Sequence, residues 1–250
     1  MIRSEWIKLW TLRSTYWTFA IAALAMIGVA AAFAGSVDIH DVNTPTDALQ
    51  GGVFAQLAFG VLGVLCIASE YSTGLIRTTF AATSKRRKVI LVKGGLLFVV
   101  LYLFGQVLAA LSFFTAQVIF RSRGLDFSIG DHGLAASVTG MGFYMCFIGM
   151  FGFCLGALIR HTTGALAAFF GIVFVVMGIV PKLLPHSVRD SAGKFSFVNI
   201  AQSLTTAGRP AHSADDVTLL STGFAWLACF GYLAVALAVP LLIVNRRDAV

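Results

Sequence analysis

Charged residues are scarce in this sequence. Only 12% of the 250 residues are Asp, Glu, Lys or Arg, whereas soluble domains have about 25%. Hydrophobic residues make up 58%, and the mean hydropathy of +0.87 excludes a water-soluble globular domain. The chain is therefore predicted to be an integral membrane protein, in which much of the apolar surface faces lipid.

The sequence also lacks the patterns that catalytic and metal-binding sites require. The four cysteines lie in apolar stretches without the spacing of metal ligands, so we interpret them as small packing residues. The five histidines are far apart, and neither paired carboxylates nor a phosphate-binding loop (Gly-x-x-x-x-Gly-Lys-Ser/Thr) is present. We therefore predict that this chain has no catalytic residue, holds no metal and binds no cofactor.

Six long stretches contain no charge at all. Each has at least 20 residues, and about 20 apolar residues are needed for a helix to cross the hydrocarbon core. We predict a single all-α transmembrane domain over residues 1–250, with six spans at about 17–37, 49–69, 94–119, 135–159, 163–181 and 218–244. The absence of charge within the spans argues against ion coupling or a proton relay.

The charges between the spans are distributed unevenly. If the N-terminus is cytoplasmic, 12 of the 18 Lys and Arg residues fall on the cytoplasmic side. That side then carries a net charge of +9 and the outer side −2. Because Lys and Arg accumulate in cytoplasmic loops, we predict that both termini are cytoplasmic.

Residues 2–16 are predicted to form an amphipathic helix lying in the membrane interface before the first span. Trp6 and Trp10 lie on its apolar arc and, with Trp17, would anchor it, because Trp is enriched at membrane interfaces. Arg13 falls near the apolar face and would extend its charge toward water. The alternative is a simple juxtamembrane start of the first span.

Three further patterns predict how the spans pack. The outer segment at about 181–217 is expected to form short surface helices or a re-entrant pair. Glycines in span 4 (Gly149, Gly152, Gly156) and span 5 (Gly164, Gly171, Gly178) predict faces that meet other helices. Three glutamines, Gln56, Gln106 and Gln117, are predicted to form interhelical hydrogen bonds or to lie near the membrane interface, with a substrate contact as the alternative.

The loop between spans 2 and 3, residues 70–93, is long, hydroxyl-rich and then strongly basic. It reads EYSTGLIRTTFAATSKRRKVILVK, and it resembles the first cytoplasmic loop of type-2 ATP-binding-cassette (ABC) permeases. The matching residues are Glu70, Thr73, Gly74, Arg77, Arg86 or Arg87, and Lys93. The amphipathic start and the basic end NRRDAV resemble the same family. One departure is that Thr83 and Ser84 stand where the family often has a proline.

This resemblance implies a permease subunit of an ABC exporter in a bacterial plasma (inner) membrane. It implies two permease copies or homologues, and a separate ATPase subunit that binds ATP and Mg²⁺. In the family this loop forms a short coupling helix that docks on the ATPase, here at 75–82. The residues implied to contact the ATPase are Glu70, Thr73, Gly74, Leu75, Ile76, Arg77, Phe80, Arg86 and Arg87. No nucleic acid is expected as a partner.

Other functions stay open at the level of sequence. The loop could be purely a topology signal, which would explain its basic cluster but not the hydroxyl-rich apolar turn before it. The protein could be a stand-alone secondary transporter or a channel, although such proteins usually have intramembrane ionisable groups or broken helices. A membrane-embedded enzyme would need a catalytic set that the sequence lacks. The expected substrate is amphipathic or hydrophobic and moves outward.

Overall fold

The computed structural model describes residues 6–7, 13–36, 49, 51–75, 86–124, 133–183, 185, 191–206 and 217–243, with only the backbone of Arg13, Ser14, Arg86 and Lys182. These ranges are helical apart from turns and short connections. The helices are α1 (Arg13–Ser36), α2 (Gly52–Ser72), α3 (Arg86–Ser122), α4 (Leu134–Ile159), α5 (Thr162–Phe170), a π-helix π1 (Gly171–Ile179), α6 (Val180–Leu183), α7 (Phe197–Thr205) and α8 (Thr222–Ile243).

Six helical stretches in the described ranges are long and apolar enough to cross a membrane, which confirms the predicted all-α membrane class. They are α1, α2, α3, α4, the continuous α5 and π1, and α8. The 37-residue α3 is about 55 Å long at 1.5 Å per residue, against a hydrocarbon core of about 30 Å. It therefore extends beyond the apolar layer, and residues 86–93, which the sequence analysis placed in the loop, are helical.

Helix α4 lies at the centre of the bundle and packs against α2, α3, α5, α7 and α8. Its glycines allow the backbone of α2 to come close. A methyl group at Gly152 would overlap the carbonyl oxygen of Gly60, and one at Gly156 would lie 2.9 Å from the carbonyl oxygen of Val64. The prediction that the glycine face of span 4 meets another helix is confirmed.

Among the described residues, the glycine face predicted in span 5 meets another helix only at Gly164, where a Cβ would lie 3.2 Å from Ile159 Cγ2 of α4. A Cβ at Gly171 would have no neighbour within 4 Å, and one at Gly178 would meet only a carbonyl of its own helix. The span changes at Gly171 from an α-helix to a π-helix, in which hydrogen bonds connect residues five apart. A spacing of seven therefore no longer keeps residues on one face.

The described part of the segment between the fifth and sixth crossings lies inside the helix bundle. The ring of Phe197, the first residue of α7, lies 5.3 Å from that of Phe147 and 5.2 Å from that of Phe151, between centroids. Both are near the middle of the 26-residue α4. At the other end of α7, the backbone of Leu204 lies against Gly140, near the start of α4. The described part, residues 191–206, thus runs from the middle of α4 back to its start. This is the geometry expected of a re-entrant segment, and we refer to it by that name.

The backbone at the tip of this re-entrant segment is irregular, and side chains satisfy its polar groups. Ser196 Oγ caps α7 by accepting a hydrogen bond from the Asn199 N–H at 3.3 Å. Asn199 Nδ2 donates to the Gly193 carbonyl at 2.9 Å, and the Tyr232 hydroxyl of α8 donates to the Phe195 carbonyl at 3.1 Å. Non-helical backbone at membrane depth is tolerated where protein groups bury and satisfy it in this way.

Candidate partner-docking site

Two connections of the chain meet at one end of the bundle: the loop after α2 and the two-residue turn 160–161 between α4 and α5. The Thr162 hydroxyl donates to the Ser72 hydroxyl at 3.2 Å. The Arg160 guanidinium lies over the ring of Tyr71, 5.4 Å from its centroid, and a cation within about 6 Å of an aromatic face is attracted to it. We name this end of the bundle the loop end and the opposite one the far end.

Hydroxyl groups and a glycine close the last turn of α2. The Ser69 carbonyl accepts hydrogen bonds from Thr73 Oγ1 at 2.8 Å and from the Thr73 N–H at 3.0 Å. Gly74 follows with a φ of 74°, a left-handed conformation that glycine adopts without a steric cost. The chain therefore turns away from the helix axis here, and Thr73, one of the residues predicted to contact a partner, caps its own helix.

A buried ion pair joins the two helices on either side of the loop. Lys93 Nζ on α3 lies 2.7 Å from Glu70 Oε1 on α2, and the two side chains are only 5% and 9% exposed. Because removing charges from water is costly, such a pair persists only where the groups neutralise each other at close range. The pair therefore fixes the spacing between the end of α2 and the first turns of α3.

The turn between α4 and α5 adds a second fixed point at the loop end. Arg160 has a φ of 60°, which is uncommon for a residue other than glycine, and its N–H bonds the Gly156 carbonyl at 3.0 Å. His161 caps α5, because its Nδ1 accepts a hydrogen bond from the Gly164 N–H at 3.2 Å. No extended loop separates these helices, so the turn holds α4 and α5 close to the end of α2.

The predicted docking residues fall into three groups. Glu70 lies inside the bundle, so its part in docking, which stays a prediction, would be to position the helix ends. Thr73, Leu75 and Arg87 are exposed at the ends of the helices that flank the loop, and Gly74 is half-buried. Three predicted residues, Ile76, Arg77 and Phe80, lie outside the described residues, as does most of the predicted coupling helix 75–82, and the side chain of Arg86 is not described.

The predicted interfacial anchors are only partly covered by the structure. Trp6 and Trp17 are 45% and 70% exposed, as expected for side chains that face lipid or its interface. Arg13 begins α1, so residues 13–16 continue directly into the first crossing. Trp10 and most of the predicted interfacial helix lie outside the described residues.

The polar side chains within the crossings bond to neighbouring helices. The Tyr144 hydroxyl on α4 donates to Gln56 Oε1 on α2 at 2.5 Å. Gln106 Nε2 on α3 donates to the Thr139 carbonyl on α4 at 3.1 Å. The interhelical prediction is therefore confirmed for Gln56 and Gln106, while Gln117 is half-buried on α3.

Neither disulfides nor a metal site is found among the described residues. All four cysteines are free thiols, three of them buried, and their surroundings are those of small apolar packing residues. Within the same ranges, no three His, Cys, Asp or Glu side chains are placed to hold a metal ion together.

No protein-family model matches this chain, and no curated protein matches it either. The likeness to type-2 ABC permeases therefore rests on the residues of the loop and of the two ends of the chain.

Proposed function

We propose that this chain is the membrane-spanning permease subunit of an ATP-driven ABC exporter. A separate ATPase subunit would dock on the loop between α2 and α3. The observation that carries the proposal is the buried Glu70–Lys93 ion pair at the base of this loop. A loop that receives force from a partner can move helices only if its two ends are firmly attached to them.

The exposed residues around the ion pair are suited to a partner. Leu75 is 52% exposed just beyond the turn at Gly74, and Arg87 and Lys88 are exposed in the first turn of α3. An apolar side chain next to cations fits a groove with an apolar floor and an acidic rim. A displacement of α2 would be transmitted to α4 and α5 through two contacts. These are the contact of Tyr71 with Arg160 and the hydrogen bond between Ser72 and Thr162.

The proposal includes an orientation, an oligomeric state and a location. The loop end is cytoplasmic, because the Lys and Arg residues concentrate there in the sequence. The functional unit contains two permease copies or homologues and two ATPase subunits, which bind ATP and Mg²⁺. The membrane is the plasma (inner) membrane of a bacterium, and the substrate is amphipathic or hydrophobic.

The proposal is tested by isolating the complex from native membranes under mild conditions. We expect a copurifying subunit that hydrolyses ATP and that mass spectrometry identifies as an ABC ATPase. Leu75→Asp and Arg77→Glu should each reduce its recovery about fivefold or more, because a central interface contact is worth about 1 kcal/mol or more and 1.4 kcal/mol is tenfold in affinity.

Arg121→Glu is the matched control, since Arg121 is exposed near the opposite end of α3 and the charge change is the same. Its complex should be recovered as for the wild type. Normal ATPase recovery with Leu75→Asp and Arg77→Glu would show that the loop is not the docking site. Recovery of the wild-type chain with no ATPase would contradict the proposed function itself.

A stand-alone secondary transporter or channel is the second candidate, and one observation favours it. The re-entrant tip is an interrupted helix at membrane depth, and it carries the ionisable residue Lys194. Broken helices and intramembrane charges are features of secondary transporters. Substrate flux driven by a proton or sodium gradient in vesicles that contain only this chain would establish this alternative.

A further inference from the structure

Lys194 lies at the tip of the re-entrant segment, next to residues that contact the middle of α4 and of α8. Its neighbour Phe195 accepts a hydrogen bond from Tyr232, which is near the middle of α8. Two residues further along, Phe197 packs against Phe147 near the middle of α4. A charge at this depth is costly and is usually tied to function.

The ammonium group of Lys194 is available to a ligand. Within the described residues, Lys194 makes no hydrogen bond and no ion pair, and it is partly exposed. The nearby Tyr232 hydroxyl already donates to the backbone of the tip. The lysine is therefore the cationic group that the described tip offers to a bound molecule.

An apolar cavity of about 520 Å³ lies between α4 and α8, and its lining includes Phe195, the neighbour of Lys194 in the chain, but not Lys194 itself. Phe195 lines it at the tip, and it extends past Leu155 and Val235 to Leu158 and Val239 near the loop end. Small-molecule sites have volumes of about 300–1,000 Å³ with mostly apolar walls and a few polar groups. The cavity therefore has the size and character of a site for an apolar chain.

We propose that the cavity and Lys194 together bind a single-chain anionic amphiphile such as a fatty acid. Its chain fills the cavity toward the loop end, and its carboxylate pairs with the Lys194 ammonium at the tip. The inference does not depend on the proposed function, because it concerns binding and requires no ATPase.

The position of its anionic group distinguishes this ligand from an ordinary bilayer lipid. A phospholipid of the leaflet at the loop end has its headgroup at that end and only its chain termini near mid-depth. Such a lipid would leave Lys194 without a counter-ion in the apolar layer. A molecule with its anionic group at mid-depth neutralises the lysine and still places its chain among the apolar side chains of α4 and α8.

The test uses the full chain in phosphatidylcholine nanodiscs, titrated with a dansyl-labelled undecanoic acid and with its uncharged methyl ester. The wild type should bind the acid more tightly than the ester. Lys194→Met should raise the Kd of the acid about tenfold or more, the loss expected when a charge-assisted contact is removed. The Kd of the ester should change little, and Lys194→Arg should keep most of the affinity for the acid.

A second pair of variants tests the cavity. Gly231 lines the cavity, and a Cβ there would meet nothing within 4 Å, so Gly231→Leu adds volume without a clash. It should weaken the binding of both probes. Gly223→Leu is the matched control, because Gly223 lies in open space on the same helix and outside the cavity lining.

Two outcomes would overturn the inference. The first is an unchanged Kd of the acid for both Lys194→Met and Gly231→Leu. The second is that neither probe binds when the nanodiscs contain phosphatidylglycerol instead of phosphatidylcholine. This result would show that a phospholipid occupies the cavity. If only the acid binds more weakly in phosphatidylglycerol nanodiscs, the anionic bilayer repels it. Unchanged binding of the ester in these nanodiscs would then support the inference.

Discussion

Two pairs of buried polar side chains join neighbouring helices of the bundle. The hydrogen bond between Tyr144 and Gln56 joins α2 to α4 within the membrane, and the ion pair between Glu70 and Lys93 joins α2 to α3 at the loop end. In both cases a polar group that would be costly alone in an apolar layer meets a polar partner on a neighbouring helix. The partners are 88 residues apart in the hydrogen bond, so the type of contact was predictable from sequence but the partner was not.

The ion pair provides a prediction at the scale of single residues. Lys93→Met should lower the free energy of unfolding by about 3–5 kcal/mol, because it leaves the Glu70 carboxylate buried without its counter-ion. Adding Glu70→Leu should recover most of this loss, since an apolar pair of similar size needs no desolvation. The measurement is the thermal unfolding midpoint of the purified protein in detergent.

Lys88→Met is the control, because Lys88 is exposed on the same helix and loses the same charge. Its midpoint should stay close to that of the wild type. Equal midpoints for Lys93→Met and Lys88→Met would mean that the ion pair contributes nothing to stability.

At the scale of elements, glycine has different consequences in different helices. In α2 and α4 it permits backbone contact, and the carbonyl oxygen of Gly149 occupies the place that a Cβ at Gly63 would need. In the fifth crossing, Gly171 and Gly178 meet no other helix among the described residues, because the π-helix changes the face on which they lie. Within the described residues, glycine spacing therefore predicted the helix contact of span 4, and that of span 5 only at Gly164.

The contact between α2 and α4 can be tested with a single methyl group. Gly63→Ala should destabilise the protein by about 1–3 kcal/mol or more, because the added Cβ overlaps the backbone of Gly149 and forces the helices apart. The expected result is a lower thermal unfolding midpoint in detergent.

Gly28→Ala on α1 makes the same chemical change in open space. It should leave the midpoint unchanged or raise it, because alanine is more favourable than glycine within a helix by about 0.5–1 kcal/mol. Similar effects of the two substitutions would argue against close backbone packing of α2 on α4.

At the scale of the whole molecule, α4 is central and the fifth and sixth crossings are peripheral. Only 17% of the apolar window in each of these two crossings is buried within the described chain, against 83% in α4. Large exposed side chains such as Phe174 and Leu227 lie on them. These faces are available to lipid or to the second permease copy that the proposed function includes.

The proposed orientation predicts which loops water-soluble reagents can reach from outside the cell. A cysteine introduced by Ser128→Cys, in the segment after α3, should react with a membrane-impermeant maleimide in intact cells. One introduced by Ser84→Cys, in the basic loop, should react only after the cells are broken, because Lys and Arg retain that loop in the cytoplasm. The unmodified chain is the control for its four native thiols, and the opposite labelling pattern would reverse the orientation.

The all-α class and the six helices long enough to cross a membrane were determined by the sequence itself. Charge is excluded from an apolar layer, and a helix satisfies its own backbone within each window. Three features were decided only by the tertiary structure: the pairing of Glu70 with Lys93, the central place of α4, and the position of Lys194 level with the middle of α4 and α8. Counting charges assigned Lys194 to an outer loop, because a short segment that enters and leaves on one side has no charge-free window of its own. Its position depends on contacts of Phe195 and Phe197 with distant helices, and such contacts form only when the bundle packs.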